Sequence, residues 1–321
     1  MNEPWAGASK SKIEVAISSV NTILQEIVLL PLGDDYCPKN VLDISVMGYS
    51  ANHLGELTIE PILQGALSGR VLVDIAEIFD HPHQIVRECR TVPDGYGGIT
   101  SLTISQPRWC KAPDPETMRG SPICAALNHV SQIAQDWASS HRESYPPLVI
   151  HLTDGESTDG DPASAAAALK SIATEDGELL LFHSLFLSSQ ATLPQLPTRE
   201  NQVPHPLAAK FFRLSSSLPL DSVVDCRRMP SHERMLILRK PRPRGLMMNS
   251  RPVDFVRIFK VGTEHFPHWT LDEDELESSE HASPSFIDAE SEPSSPRCPC
   301  CDRKTQGRPG QRFCIVCEHL F

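Results

Sequence analysis

Aromatic residues make up only 6% of this 321-residue chain, and basic charge is in deficit: 29 Lys and Arg face 41 Asp and Glu, a net charge of −12. That balance argues against a nucleic-acid-binding surface, since such domains are usually basic. Long apolar runs are missing too. The two longest, Ile23–Leu32 and Leu179–Leu187, are broken by Gln25-Glu26 and by His183. Both fall short of the roughly 20 residues that cross a bilayer, so no membrane association is expected. The first residues, Met1-Asn-Glu-Pro-Trp5, carry neither the basic cluster nor the apolar core of a secretory leader, and a cytoplasmic location is expected. The chain also lacks the nucleophile elbow GxSxG, the P-loop, the GxGxxG fingerprint and the HExxH pair. With them goes any motif basis for acyl or phosphoryl transfer. Glycine is scarce (17) beside proline (28), which points to long connections.

The acidity that is present sits in one place. Residues 264–296 hold ten Asp and Glu and no Lys or Arg, whereas the preceding 263 residues are nearly balanced. This Ser/Pro/Glu/Asp-rich stretch has too few apolar side chains to offset the entropy of ordering it. It reads as a disordered acidic linker whose serines offer phosphorylation sites. It divides the chain into a body, residues 1–263, and a slightly basic tail, residues 297–321.

Half of the ten cysteines lie in that tail. Cys298-Pro-Cys300-Cys301 is followed, after twelve residues, by Cys314-Ile-Val-Cys317. Two such turns present four thiolates to one tetrahedral Zn²⁺, with Cys298, Cys301, Cys314 and Cys317 as the best-spaced set and Cys300 as the surplus thiol. About 25 residues cannot build a self-sufficient core, so the metal supplies the folding free energy of this zinc ribbon. With all four positions used for structure, the ribbon is a docking module and not a catalyst. Cys37, Cys89, Cys110, Cys124 and Cys226 are scattered and read as buried apolar thiols.

In the body, residues 12–31 place Ile13, Val15, Ala16, Val20, Ile23, Leu24 and Ile27 at helical spacing, stopped by Pro31. Two β-branched runs follow, Val41–Met47 and Val71–Ile75, and then a Gly/Pro-punctuated region from His81 to Glu116. Ser121-Pro122 opens a helix as N-cap and first turn. Pro147–Leu152 and Leu179–Leu187 read as buried strands, Asp161-Pro162 opens an Ala-rich helix, and Leu207–Leu218 contains a further short element. Pro252–Val261 reads as a closing amphipathic helix. Buried strands alternating with amphipathic helices predict an α/β fold, a mostly parallel central sheet with helices on both faces, whose functional groups gather at the carboxyl ends of the strands.

At that edge stands His151-Leu-Thr153-Asp154-Gly155-Glu-Ser-Thr158-Asp159-Gly160, preceded in the chain by Gly120-Ser121-Pro122. The first resembles the fourth-strand motif of von Willebrand factor A (vWA) domains, and the second resembles that family's threonine loop with Ser in place of Thr. The resemblance covers residues 1–263 in element order. It implies a Rossmann-like sheet and a metal-ion-dependent adhesion site in which Ser121 and Asp154 help to hold Mg²⁺ or Mn²⁺. One family element is missing: no Asp-x-Ser-x-Ser occurs in the chain, and Met1 falls about ten residues before the first helix. Either the start lies one element late or the chain is a truncated member. The absent strand is central in the family's sheet, so the second and fourth strands are expected to face each other with unpaired edges, at about 1–3 kcal/mol per buried unsatisfied group.

Each candidate also has a plain structural role. Asp154 suits a turn, Ser121 and Asp161 suit helix caps, and Asp159 suits a solvated loop. The run Arg239-Lys-Pro-Arg242-Pro-Arg244 suits an exposed loop or a contact to phosphate or to the acidic linker. His81, His83 and His151 have no ligand spacing. The plan of vWA-like body, acidic tether and zinc ribbon resembles bacterial intracellular vWA proteins of the tellurium-resistance-associated (TerY-like) group. That resemblance implies a non-enzymatic interaction protein whose partners include a Ser/Thr kinase and a PP2C-type phosphatase. The alternatives are a metal-dependent hydrolase built on Asp154, Asp159 and Asp161, and a non-functional remnant. For the ribbon, purified full-length protein is expected to carry about one equivalent of zinc by elemental analysis, and less than about half an equivalent contradicts it.

Overall fold

The computed structural model describes residues 11–29, 42–93, 98–111, 120–188, 195–203, 205–219, 241–250, 313–314 and 319–320. The predicted helix at residues 252–261, the acidic stretch at 264–296, and Cys37, Cys226, Cys298, Cys300, Cys301 and Cys317 lie outside the described residues.

Helix α1 (Lys12–Leu29) starts at a capping box that its sequence, Ser-x-x-Glu, encodes. Ser11 N–H donates to Glu14 Oε2 at 2.7 Å, and Glu14 N–H donates to Ser11 Oγ at 3.4 Å. Val15, Ala16, Ile23, Leu24 and Ile27 form the buried stripe of α1. Short strands β1 (Asp43–Ile44), β2 (Met47–Ala51), β3 (Leu57–Pro61) and β4 (Val73–Asp74) follow, and then helix α2 (Ile75–Asp80), capped by the Asp74 carboxylate on Ala76 N–H. Next come β5 (Gln84–Pro93), β6 (Ile99–Arg108), α3 (Ile123–Ser140), β7 (Leu148–Thr153) and α4 (Ala163–Lys170). The two-residue strands β8 (Ala173–Thr174) and β9 (Gly177–Glu178) lead into β10 (Leu180–Leu185), α5 (Pro206–Leu214) and β11 (Leu246–Met248). A short pair, β12 (Phe313–Cys314) and β13 (His319–Leu320), closes the order.

The α/β class expected from the alternation is present. Strands β7, β10 and β11 form a parallel sheet in the order β11-β10-β7. Their side chains alternate between two cores. Leu181 and Leu185 of β10, with Leu246 and Met248 of β11, face α3, α4 and α5. Phe182 of β10, Phe186 just beyond that strand, and Met247 of β11 face α1, α2 and Trp109. Helices therefore cover both faces, and burying each such side chain contributes roughly 1.5–3 kcal/mol. The fit is close at Gly245, where a Cβ would clash with the Phe182 ring, 2.0 Å from its Cδ1.

Outside this sheet the structure departs from a mostly parallel arrangement. β1 with β4, β2 with β3, β5 with β6, β8 with β9, and β12 with β13 are all antiparallel pairs. The Gly/Pro-punctuated region His81–Glu116 contains the hairpin β5–β6, each strand ten residues long. Its Pro93 and Pro107 fall near strand ends, opposite Ile99 and Ile85, where a missing ladder donor is tolerated. Within the run Val41–Met47, Asp43–Ile44 form β1 and Met47 opens β2. Among the described residues no strand pairs with the β7 edge that faces away from β10. There β2 approaches through a side chain, with Tyr49 Oη 3.5 Å from the Leu152 carbonyl oxygen. No helix among the described residues is long and apolar enough to cross a membrane.

Asn21 fastens the β5–β6 hairpin to the core, a role its sequence position does not advertise. Its Oδ1 accepts from the backbone N–H of Trp109 (2.7 Å) and Cys110 (3.0 Å), and its Nδ2 donates to the Cys110 carbonyl (3.0 Å). Asn21 is 2% exposed, so water cannot replace it. Asn21→Ala is expected to lower unfolding free energy by about 3 kcal/mol in chemical denaturation, because buried backbone groups lose their partner. A loss under about 1 kcal/mol contradicts this anchoring.

Candidate functional site

β7 ends at Thr153, and Asp154 begins the loop at the carboxyl edge of the parallel sheet. Thr153 shapes the turn: its Oγ1 accepts from Gly155 N–H at 3.4 Å. The Asp154 carboxylate lies 3.6 Å from the Lys12 ammonium, and both side chains are nearly buried. Lys12 Nζ also donates to Ser188 Oγ at 3.0 Å. One ammonium at the start of α1 thus touches the segments that follow two adjacent parallel strands, β7 and β10. The sequence reading missed Lys12. Its only signal was a lysine one residue past a helix cap, where a cation opposes the helix dipole and calls for an explanation.

The Gly120-Ser121-Pro122 loop lies beside this edge. A Cβ on Gly120 would sit 3.1 Å from both Ala51 Cβ and Thr158 Oγ1. Ser121 engages through its backbone carbonyl, which accepts from Thr158 N–H (3.0 Å) and Ile123 N–H (2.8 Å). The expected Ser121 side-chain cap of α3 is not what caps the helix. Pro122 has no N–H, so the first free donors are those of Cys124 and Ala125, and the Asp159 carboxylate takes both, at 3.0 and 2.8 Å. Ser157 Oγ donates to it as well, at 2.6 Å. Burial acts to raise the Asp159 carboxyl, but these hydroxyl and amide donors hold it below its usual range. Asp159 is exposed, as the solvated-loop reading expects, and it also caps α3. Asp161 caps α4 as expected, accepting from Ala163 N–H at 3.3 Å, and its carboxylate is 3.6 Å from Lys210 Nζ.

The three aspartates of the hydrolase alternative thus meet three different partners. Among the described residues no group of three or more His, Cys, Asp or Glu side chains is placed to hold a metal ion. For the Mg²⁺ or Mn²⁺ that the family resemblance implies at Ser121 and Asp154, the donor set does not fit: a cation at Asp154 would crowd the Lys12 ammonium. Of the zinc set, only Cys314 falls within described residues, on β12, which pairs with β13 at the register Cys314–His319.

Other sequence readings change. Cys110 is buried, and burial pushes its thiol up to about 12, whereas Cys89 on β5 is exposed rather than core. Arg244 is not in a merely solvated loop: its Nη1 donates to the Ser215 carbonyl at 2.6 Å and its guanidinium lies over the Phe212 ring. His151 is a core residue, one of the two positions its sequence reading allows. It is buried on β7, directly opposite His183 on β10, with the ring centroids 5.3 Å apart. Tyr49 Oη is 2.7 Å from His151 Nε2. Burial pushes the Tyr49 hydroxyl above its usual range and keeps it protonated; the other His151 ring nitrogen is Nδ1. That nitrogen and His183 Nε2 have no hydrogen-bond partner among the described residues. His183 Nδ1 meets Ser215 Oγ at 3.0 Å.

No family model, curated protein or solved structure matches this chain.

Burial holds His151 down to about 4. It lowers His183 well below the usual range, and the charges of His151 and Lys170 add to this. Tyr49 from β2, His183 from β10 and Lys170 from α4 are the titratable groups involved. Both folded values lie below the unfolded value of about 6.5, so this stability is complete above about pH 6.5 and is lost as pH falls toward about 4. From about pH 6.5 to 5.0, His151 alone is expected to cost ~2 kcal/mol in urea titrations. His151→Phe is expected to flatten that slope, and equal slopes in both proteins contradict the assignment.

Proposed function

We propose that this chain is a non-enzymatic interaction protein: a vWA-like α/β domain that binds a protein partner at the Asp154 edge, carried with a zinc ribbon at the other end of an acidic tether. One observation carries the reading. The loop that opens with Thr153-Asp154-Gly155 follows a parallel strand and is tied to the Gly120-Ser121-Pro122 loop by Thr158 and to the start of α3 by Asp159, so segments far apart in sequence meet at the carboxyl edge. Element order supports the same reading: a first helix, an antiparallel hairpin, a long helix, and then strands β7, β10 and β11 with helices between them. Exposed Glu156 lies beside Asp154 on this edge.

The aspartates already serve as ion-pair partner and helix caps. That favours recognition over catalysis, since a hydrolase needs carboxylates converging on one reacting atom. Zn²⁺ held by Cys298, Cys301, Cys314 and Cys317 would give the tail its fold and a second docking surface. By family analogy the partners are a Ser/Thr kinase and a PP2C-type phosphatase.

Purified full-length chain is expected to bind such a kinase or phosphatase in a calorimetric titration, and Glu156→Arg is expected to weaken that binding about tenfold or more (~1.4 kcal/mol) without changing Tm. Phosphatase or esterase activity that Asp154→Ala abolishes contradicts the reading and favours the hydrolase.

A further inference from the structure

We propose that the Lys12 ammonium is the resident cation of the Asp154 edge, standing where a cation-dependent adhesion site carries a divalent ion, so that the edge is assembled without Mg²⁺ or Mn²⁺.

Four observations carry this. Lys12 is 3% exposed, and an ammonium is withdrawn from water only where anionic and hydrogen-bonding partners receive it. Those partners include Asp154 Oδ2 at 3.6 Å and Ser188 Oγ at 3.0 Å, which follow two adjacent strands of the parallel sheet. Lys12 opens α1, and the partial positive charge of a helix N-terminus repels a cation there. Local sequence therefore does not place the ammonium; the Asp154 carboxylate does. Lastly, the capping box of Ser11 and Glu14 fixes the first turn of α1 and so fixes where the Lys12 stem departs.

The consequence is chemical. A carboxylate neutralised by an ammonium a few ångströms away has lost most of its attraction for a second cation, and a divalent ion on the same oxygens would meet the ammonium's charge at short range. Lysine is a compact point charge on a flexible stem, so it does what an ion does at this spot while being covalently part of the chain. The edge then stays assembled at any Mg²⁺ concentration. Whether a partner also binds there independently of divalent ions rests on the interaction reading above; the assembly of the edge does not.

The test needs no partner, so its failure is distinct from failure of that reading. Zinc-loaded full-length chain is titrated with Mn²⁺ and followed by electron paramagnetic resonance, in parallel with Asp154→Asn. No Asp154-dependent binding is expected up to roughly 1 mM, the weak end of biological divalent sites. Saturable Mn²⁺ binding that Asp154→Asn abolishes overturns the proposal. In a thermal cycle, Lys12→Met and Asp154→Asn are each expected to lower Tm by about 10 °C, because each strands a buried group, and the double variant is expected to recover much of that loss. Losses that simply add overturn the proposal. Where a single variant does not fold, the comparison of the double variant with wild type, together with the Mn²⁺ titration, still decides the matter.

Discussion

The architecture depends on strand β10 being buried on both faces. A strand in that position must alternate between two apolar layers, and its backbone must be paired on both sides. β10 meets both demands: β7 and β11 flank it in parallel, Leu181 and Leu185 enter one core, and Phe182 enters the other. The helices are then assigned to their faces, with α1 and α2 on one and α3, α4 and α5 on the other. Gly245 follows from the same constraint, since only a residue without Cβ lets the chain entering β11 pass against the Phe182 ring.

The polar side chains in and around this sandwich fall into two groups. His151 and His183 lie opposite each other on the face toward α5, with Phe211 against both rings. At the carboxyl edge the polar groups are organised by charge. Asp159 gathers the first amides of α3, Asp161 caps α4, and Asp154 receives the ammonium from α1. Three adjacent carboxylates thereby fix the starts of three helices around one sheet end, which gives the edge a defined shape. An ordered surface of this kind suits recognition, because little further ordering has to be offset on binding.

Much of the fold was legible from periodicity. The predicted helix over residues 12–31 is α1, the helix after Ser121-Pro122 is α3, and the buried run Pro147–Leu152 is β7 with a one-residue shift. These elements announce themselves because long amphipathic stripes and short β-branched runs leave few alternatives. The β5–β6 hairpin was not legible, since its strands carry charges and prolines and one ladder partner suffices for each. β11 was missed because three residues are too few to show a period. The site was legible in part. Thr153-Asp154-Gly155 identified itself as a strand-end turn, but its partner Lys12 lies more than 140 residues earlier, and only folding brings the two together. The capping role of the exposed Asp159 was hidden for a related reason: it depends on Pro122 lacking an N–H at a helix start far away in sequence.

A crystal structure of the full-length chain grown in excess Mn²⁺, with the ion located by its anomalous scattering, tests the central claim most directly. The account predicts Lys12 Nζ against Asp154, bridging to Ser188, with no manganese at the carboxylate. Manganese on Asp154 with the Lys12 side chain swung away would contradict it.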